Sequence, residues 1–305
     1  MTVRRVSLVC ALALCVHAAP ARAQLYESVG IRAQGLAGAF VAVADDATAT
    51  WWNPAGLNSG PFVDAIVEYR GGIGEEAQPS WGVAVMVPSL GLSYYGLRVW
   101  PPASSGSTGP LSGDRQDGRT GGTRLPPAVL NQFGATVGIS VGDHIVLGST
   151  VSLVQADQVR GDLDVGVMGT FGSARAAVVV KRVVLPDLTS DGHPMGLERQ
   201  VRIGAAVAVP PRGQLRMTAS VDADLTVTPT AAGDERHIAG GFEAWVTRFL
   251  GVRGGVSFNT IADARPSASV GASAVIRSRF FVDAQVTGGQ DVMTKGWGLG
   301  ARVTF

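Results

Sequence analysis

The residues best equipped for chemistry lie in the second half of the chain: Arg202, Arg216, Asp222, Asp224, His237, Glu243, Arg253, Arg277, Asp283 and Arg302. Carboxylates beside a histidine can run acid–base catalysis, and with a serine they can activate a nucleophile. His144 stands next to the Gly142-Asp143 turn and His193 lies in a connection, so water should reach both. His237 opens a segment whose polar face also carries Glu243, near Asp222 and Asp224. Acids and bases alternate through this set, so opposite charges can satisfy one another without any reaction. P-loop, zinc-ligand and nucleophile-elbow patterns are all missing. The set therefore predicts a charge network facing an interior, with no catalytic residue, metal or cofactor, and the chain is not expected to be an enzyme.

The elements that carry these residues have a period of two. Leu215, Met217, Ala219, Val221, Ala223, Leu225 and Val227 alternate with Arg216, Thr218, Ser220, Asp222, Asp224, Thr226 and Thr228. One face is apolar and the other polar, as in a half-buried strand. The last residues repeat the pattern, with Trp297, Leu299, Ala301, Val303 and Phe305 opposing Gly298, Gly300, Arg302 and Thr304. The alternation predicts fourteen strands, at 61–70, 80–88, 90–100, 128–142, 144–158, 164–173, 175–186, 200–210, 214–228, 236–247, 249–260, 266–278, 279–288 and 296–305. It blurs over 161–186, which leaves twelve as the alternative. Tight connections such as Pro88-Ser89 and Gly142-Asp143 alternate with longer ones at 71–79, 101–127, 187–199, 229–235 and 289–295. That rhythm belongs to an up-and-down barrel whose polar faces line a lumen and whose apolar faces meet lipid. The fold expected is all-β: a transmembrane antiparallel barrel over 61–305.

The N-terminus sets the compartment. Arg4-Arg5, the apolar run Val6–Ala18 and the Ala21-Arg22-Ala23 site make residues 1–23 a signal peptide. Both cysteines, Cys10 and Cys15, fall within it. Losing Arg4, Arg5 and Arg22 lowers the 25 basic residues to 22 against 24 acidic ones, a balance that argues against nucleic-acid binding. No apolar run long enough for a membrane helix follows, so strands must do the crossing. A bacterial outer membrane is the expected location. Phe305, an aromatic residue ending the last strand, matches the terminal signal of barrels handled by the barrel-assembly machinery.

Fourteen strands enclose more space than wall side chains can fill. The candidate filler is the segment 24–60, which is rich in Gly and Ala and has no strand alternation. Within it, Asp45-Asp46 can cap a short helix running through Thr50, and Pro54 should stop that helix. Its run "RAQGLAGAFVAVADDATATWWNPAGL" resembles the N-terminal hatch of FadL-type outer-membrane hydrocarbon transporters and their PorV/PorQ-like relatives. The resemblance covers about 27 residues. It implies a plug inside the barrel, with Gly35, Gly38, Phe40, Asp45, Asp46, Asn53, Pro54, Ala55 and Gly56 as hatch or gating residues. Transporters of that family release ligand sideways through a kinked third strand. Here Gly91 and Gly96 are the residues for such a kink, or else simply make room for the plug. Trp51, Trp52, Arg98, Trp100 and Trp245 are candidates for girdle or plug positions.

The resemblance implies a passive channel for small hydrophobic molecules, in contact with outer-membrane lipid. The chain is shorter than typical fatty-acid transporters of the family, and only its 101–127 connection is long, which sets long-chain fatty acids apart from the expected cargo. The alternative is a PorV-like structural protein that docks a partner of a secretion system.

Overall fold

The computed structural model describes residues 29–73, 79–99, 128–184, 187–190, 193–230, 233–290 and 294–305. The segment 1–23 expected to be a signal peptide, Trp100 and the 101–127 connection lie outside the described residues. Strands β1 (Asp64–Gly72), β2 (Ser80–Val87), β3 (Leu90–Val99), β4 (Ala128–Val141), β5 (Ile145–Gln155), β6 (Val159–Phe171) and β7 (Ala174–Lys181) come first. A small hairpin, β8 (Asp187–Ser190) and β9 (His193–Gly196), separates them from β10 (Gln200–Arg212) and β11 (Leu215–Asp224). A second hairpin, β12 (Thr228–Thr230) and β13 (Gly233–Glu235), precedes β14 (His237–Trp245). Then follow β15 (Leu250–Asn259), β16 (Ser267–Ile276), β17 (Phe280–Gly289) and β18 (Gly296–Thr304).

Fourteen of these form one closed antiparallel barrel, and the two hairpins stand apart as two-stranded sheets. Closure joins β1 to β18 in register from Asp64↔Thr304 to Gly72↔Gly296, so the barrel wall has no free edge. Val63 and Phe305 exchange backbone hydrogen bonds of 3.1 and 2.9 Å just beyond that seam.

The alternation decides which way each strand turns. Along β18, Trp297, Leu299 and Ala301 face outward while Gly298, Gly300 and Arg302 are buried. Leu299 is 52 % exposed and Val67 on β1 is 58 % exposed. Such an outer surface is stable only against lipid, which makes the barrel a membrane-spanning one. Two-residue turns such as Pro88-Ser89 and Gly172-Ser173 mark one end, together with Phe305; the longer connections mark the other.

The blurred stretch has a physical cause. The inward face of β7 carries Ala177 and Val179 between Arg175 and Lys181, so its middle is apolar on both faces and the period weakens there. β6 starts at Val159 rather than 164, and β7 ends at Lys181 because Arg182 adopts a positive φ of 59°.

Candidate functional site

Residues 29–59 sit inside the barrel, with nearly every side chain buried. They fold as α1 (Ile31–Gly35), a chain of turns, α2 (Ala49–Trp52) and a 3-10 helix at Pro54–Ser59. Helices this short do not hold themselves together in water, so their surroundings must fix them. Apolar burial supplies much of that: Val29, Leu36, Phe40, Val41, Trp52 and Leu57 form one cluster. Phe40 packs edge-on to Trp52 at 6.0 Å.

The local turns follow the sequence. Asp46 accepts from the amide of Thr48 at 3.0 Å and from its hydroxyl at 2.5 Å, which sets the turn entering α2. Asp45 takes no such cap, because its carboxylate meets Arg32 instead. Pro54 ends α2 after Trp52, and Asn53 links two pieces: it donates to the carbonyl of Val41 at 2.9 Å and accepts from Ala55 at 3.1 Å. Gly38 has a φ of +85° and turns the chain between α1 and Phe40. Gly35 ends α1 against the Arg253 side chain, and Gly56 lies on the Ala44 backbone.

The wall grips this segment with carboxylates. Glu68 accepts from the amides of Gly30 and Ile31 at 2.7 and 3.1 Å. Asp222 accepts from those of Phe40 and Val41, both at 2.7 Å. Each acid satisfies free N–H groups that would otherwise be stranded in the interior.

Arg32 is the hub. Its guanidinium bridges Glu243 through two nitrogens at 2.9 and 2.7 Å and reaches Asp45 at 2.5 Å and Asp46 at 3.3 Å. Burial opposes its charge, yet Asp45, Glu243 and Asp46 outweigh that and raise its pKa well above the ordinary value. The network continues from Glu243 to Arg253 at 3.4 Å, from Arg253 to Asp283 at 3.2 Å, and to Arg302, which lies 3.8 Å from Asp64. Buried charges persist only when paired in this way.

The charged residues foreseen from the sequence divide between this hub and other places. Glu243, Arg253, Asp283 and Arg302 surround Arg32, and Asp222 anchors the turn at Phe40. Arg202 and Asp224 form their own pair at 2.6 Å. His237 meets Glu235 at 2.6 Å, and its amide donates to Asp224, with Glu243 not among its partners. Two residues do not join. Arg216 shares the inward face of β11 but sits exposed at its short-turn end. Arg277 occupies the turn after β16, where φ is 52°, because the strand ends at Ile276. His144 is exposed, within hydrogen-bond reach of the Thr170 carbonyl.

Glu68, Asp64 and Arg32 were missed as functional residues. The first two could have been found, since Asp64, Ile66, Glu68 and Arg70 alternate on the inward face of β1.

On the opposite side, glycine replaces charge. A Cβ at Gly148 would run into the backbone of Pro54 and Ala55, and one at Gly166 into the Asn53 amide. Asn53-Pro54-Ala55 thus rests directly on β5 and β6. Gly91 faces Thr50 and Leu57, and Gly96 lies against the Trp81 indole. β3 pairs with β2 and β4 without a register shift at either glycine.

Beyond α2, toward the longer connections, the inward residues of β3, β4 and β5 become apolar, and Val179 of β7 joins them. Tyr95, Leu97, Leu130, Val154 and Val179 are buried there with Trp51, beneath Leu188 and Leu197 from the β7–β10 connection. A barrel interior is ordinarily polar, so this wall stands out. Trp51 and Trp52 belong to the inner segment, and Trp51 packs edge-on to Tyr95 at 5.5 Å.

Among known proteins, no family model and no curated sequence matches this chain. Solved structures do. The toluene transporter TbuX of Ralstonia pickettii is 11% identical with a TM-score of 0.60, covering 91% of this chain and 98% of that one. A Pseudomonas aeruginosa FadL homologue gives 12% and 0.58, over 94% and 100%. The monoaromatic hydrocarbon channel CymD gives 11% and 0.57, over 91% and 97%. At such identities the likeness is one of fold.

Proposed function

We propose that this chain is a bacterial outer-membrane barrel acting as a passive channel for small hydrophobic molecules, with residues 29–59 as its hatch. The observation that carries this reading is the apolar inner wall of Leu97, Leu130, Val154 and Val179 beside Trp51 and Tyr95. A channel for hydrophilic solutes gains nothing from such a surface, whereas a hydrocarbon gains about 25 cal/mol for each Å² of apolar contact. The fold it shares with a toluene transporter and a monoaromatic hydrocarbon channel supports the same cargo class.

In this mechanism a hydrophobe enters at the end with the longer connections and displaces Leu188 and Leu197 from the apolar wall. It then passes Trp51 and Tyr95 as the hatch shifts. No energy source enters the scheme, because the ligand moves down its own gradient. Asn53-Pro54-Ala55, held on glycines and not by ions, is the part of the hatch freest to slide. Phe305, 60 % exposed at the closing seam, is the residue offered to the barrel-assembly machinery.

Expressing the chain in the outer membrane of an intact bacterial host tests this. Toluene entry, followed with an intracellular toluene-responsive reporter, should rise several-fold while glucose entry stays at its control rate. A barrel present in the outer membrane that leaves toluene entry unchanged would sink the reading.

A further inference from the structure

Where the apolar wall meets α2, Trp51, Gln132, Asp162, Asp164, Lys181 and Arg182 surround a small polar cavity of about 10 Å³. Its charges are already engaged. Asp162 accepts from the Leu163 amide at 2.7 Å and Asp164 from the Arg182 amide at 2.8 Å. The Arg182 side chain donates to the Glu198 carbonyl at 2.5 Å and to Gln200 at 3.3 Å. Lys181 places its ammonium 4.4 Å from the Trp51 ring centre, a cation–π distance. Two anions and two cations offset one another.

Two neutral groups are left over. The indole N–H of Trp51 and the hydroxyl of Ser152 have no hydrogen-bond partner among the described residues. Both residues are deeply buried, at 4 % and 1 % exposure. Ser152 is the cross-strand partner of Asp162, and both face inward, so the hydroxyl belongs to the same corner. An unmet buried polar group costs about 1–3 kcal/mol, and two together call for a shared partner. Leu130 precedes Gln132 by two positions, and Val154 follows Ser152 by two, so apolar wall begins on the same inward faces.

We propose that this corner is a head-group site for neutral amphiphiles, meaning small hydrocarbons that carry one hydroxyl or carbonyl oxygen. The oxygen accepts from Trp51 and shares a hydrogen bond with Ser152, while the hydrocarbon lies along Leu97, Leu130 and Val154. The cavity has room for one oxygen-sized group. The hydrocarbon therefore takes the space that Leu197 occupies in the closed form. A carboxylate head is disfavoured, since Lys181 and Arg182 are already offset by Asp162 and Asp164 and leave no surplus positive charge to replace its lost hydration. This rests on the channel reading above and narrows its cargo from hydrocarbons at large to those with a neutral oxygen.

The test compares toluene with p-cresol, which differ by one hydroxyl. Binding to the nanodisc-held barrel is followed by saturation-transfer NMR, with empty nanodiscs subtracted. The intact chain should bind p-cresol about five- to tenfold more tightly than toluene. Trp51→Phe keeps the ring and loses the N–H; Ser152→Ala loses only the hydroxyl. Each should weaken p-cresol about fivefold; Ser152→Ala should leave toluene unchanged, and Trp51→Phe should weaken toluene less than p-cresol. Equal affinities for the two probes, or variants that weaken both alike, would overturn the head-group site while leaving the channel standing. Binding of neither probe would remove the channel reading as well.

Discussion

The two halves of the lumen hold the same inner segment by different physics. Around β1, β11 and β14–β18 the wall presents Asp64, Glu68, Asp222, Glu243, Arg253, Asp283 and Arg302, and it grips α1 and the Phe40 turn through ions and amide–carboxylate bonds. Around β3–β7 the wall presents glycine to Asn53-Pro54-Ala55 and apolar side chains and one polar corner beyond it, and its directional contacts are sparser: Thr150 donates to the Thr50 carbonyl at 3.1 Å and Arg175 lies 3.7 Å from Asp45. Directional charged contacts fix a position, whereas smooth contacts permit sliding once a ligand competes for them. On the channel reading proposed above, the first half serves as anchor and the second as the side of passage.

Removing Arg32 should break that division most severely. Arg32→Met takes from Glu243, Asp45 and Asp46 their shared ion partner and leaves them only the longer contacts to Arg253, Arg175 and Arg302, at a cost of about 3–5 kcal/mol. In proteoliposomes, arabinose-driven swelling should rise tenfold or more as the hatch leaves its seat. Swelling that stays at the parent rate would mean the ions are not the anchor.

Crowding the seat should come next. Gly148→Val pushes a branched side chain into Pro54, at a cost of about 1–3 kcal/mol from overpacking. The temperature at which the barrel loses its heat-modifiable gel mobility should fall, with a modest arabinose leak. An unaltered transition would show that the seat has slack.

Asn53→Ala deletes the link between Val41 and Ala55 and should cost about 1–2 kcal/mol, read in the same gel assay. A loss as large as that for Arg32 would place the anchor on the passage side and reverse the comparison.

The smallest effect sharpens it. Leu97→Ser replaces apolar wall by a hydroxyl and should slow toluene entry about threefold, since roughly one methylene's worth of contact with the ligand is lost. Arabinose swelling should not move, because nothing that anchors the hatch has been touched. A parallel rise in swelling would show that the two halves are not separable.

Sequence alone determined the wall. Each strand lies between lipid and lumen, and that boundary is written residue by residue as alternation, as along 215–224 and 296–304. Strand number, barrel closure and the break at Pro54 are local or periodic facts, so they were legible. The face carrying Asp222, Asp224 and Arg302 was legible too, but not what each would touch. Arg32 meets Glu243 across 211 positions, and Phe40 meets Asp222 across 182. Such partners share no spacing rule, because the barrel's closure and the path of the inner segment decide which inward residues converge. The same holds for Trp51, Ser152 and the apolar corner around them. Period two marks Ser152 only as inward and says nothing of Trp51, and the tertiary structure alone brings both to one corner with no partner among the described residues.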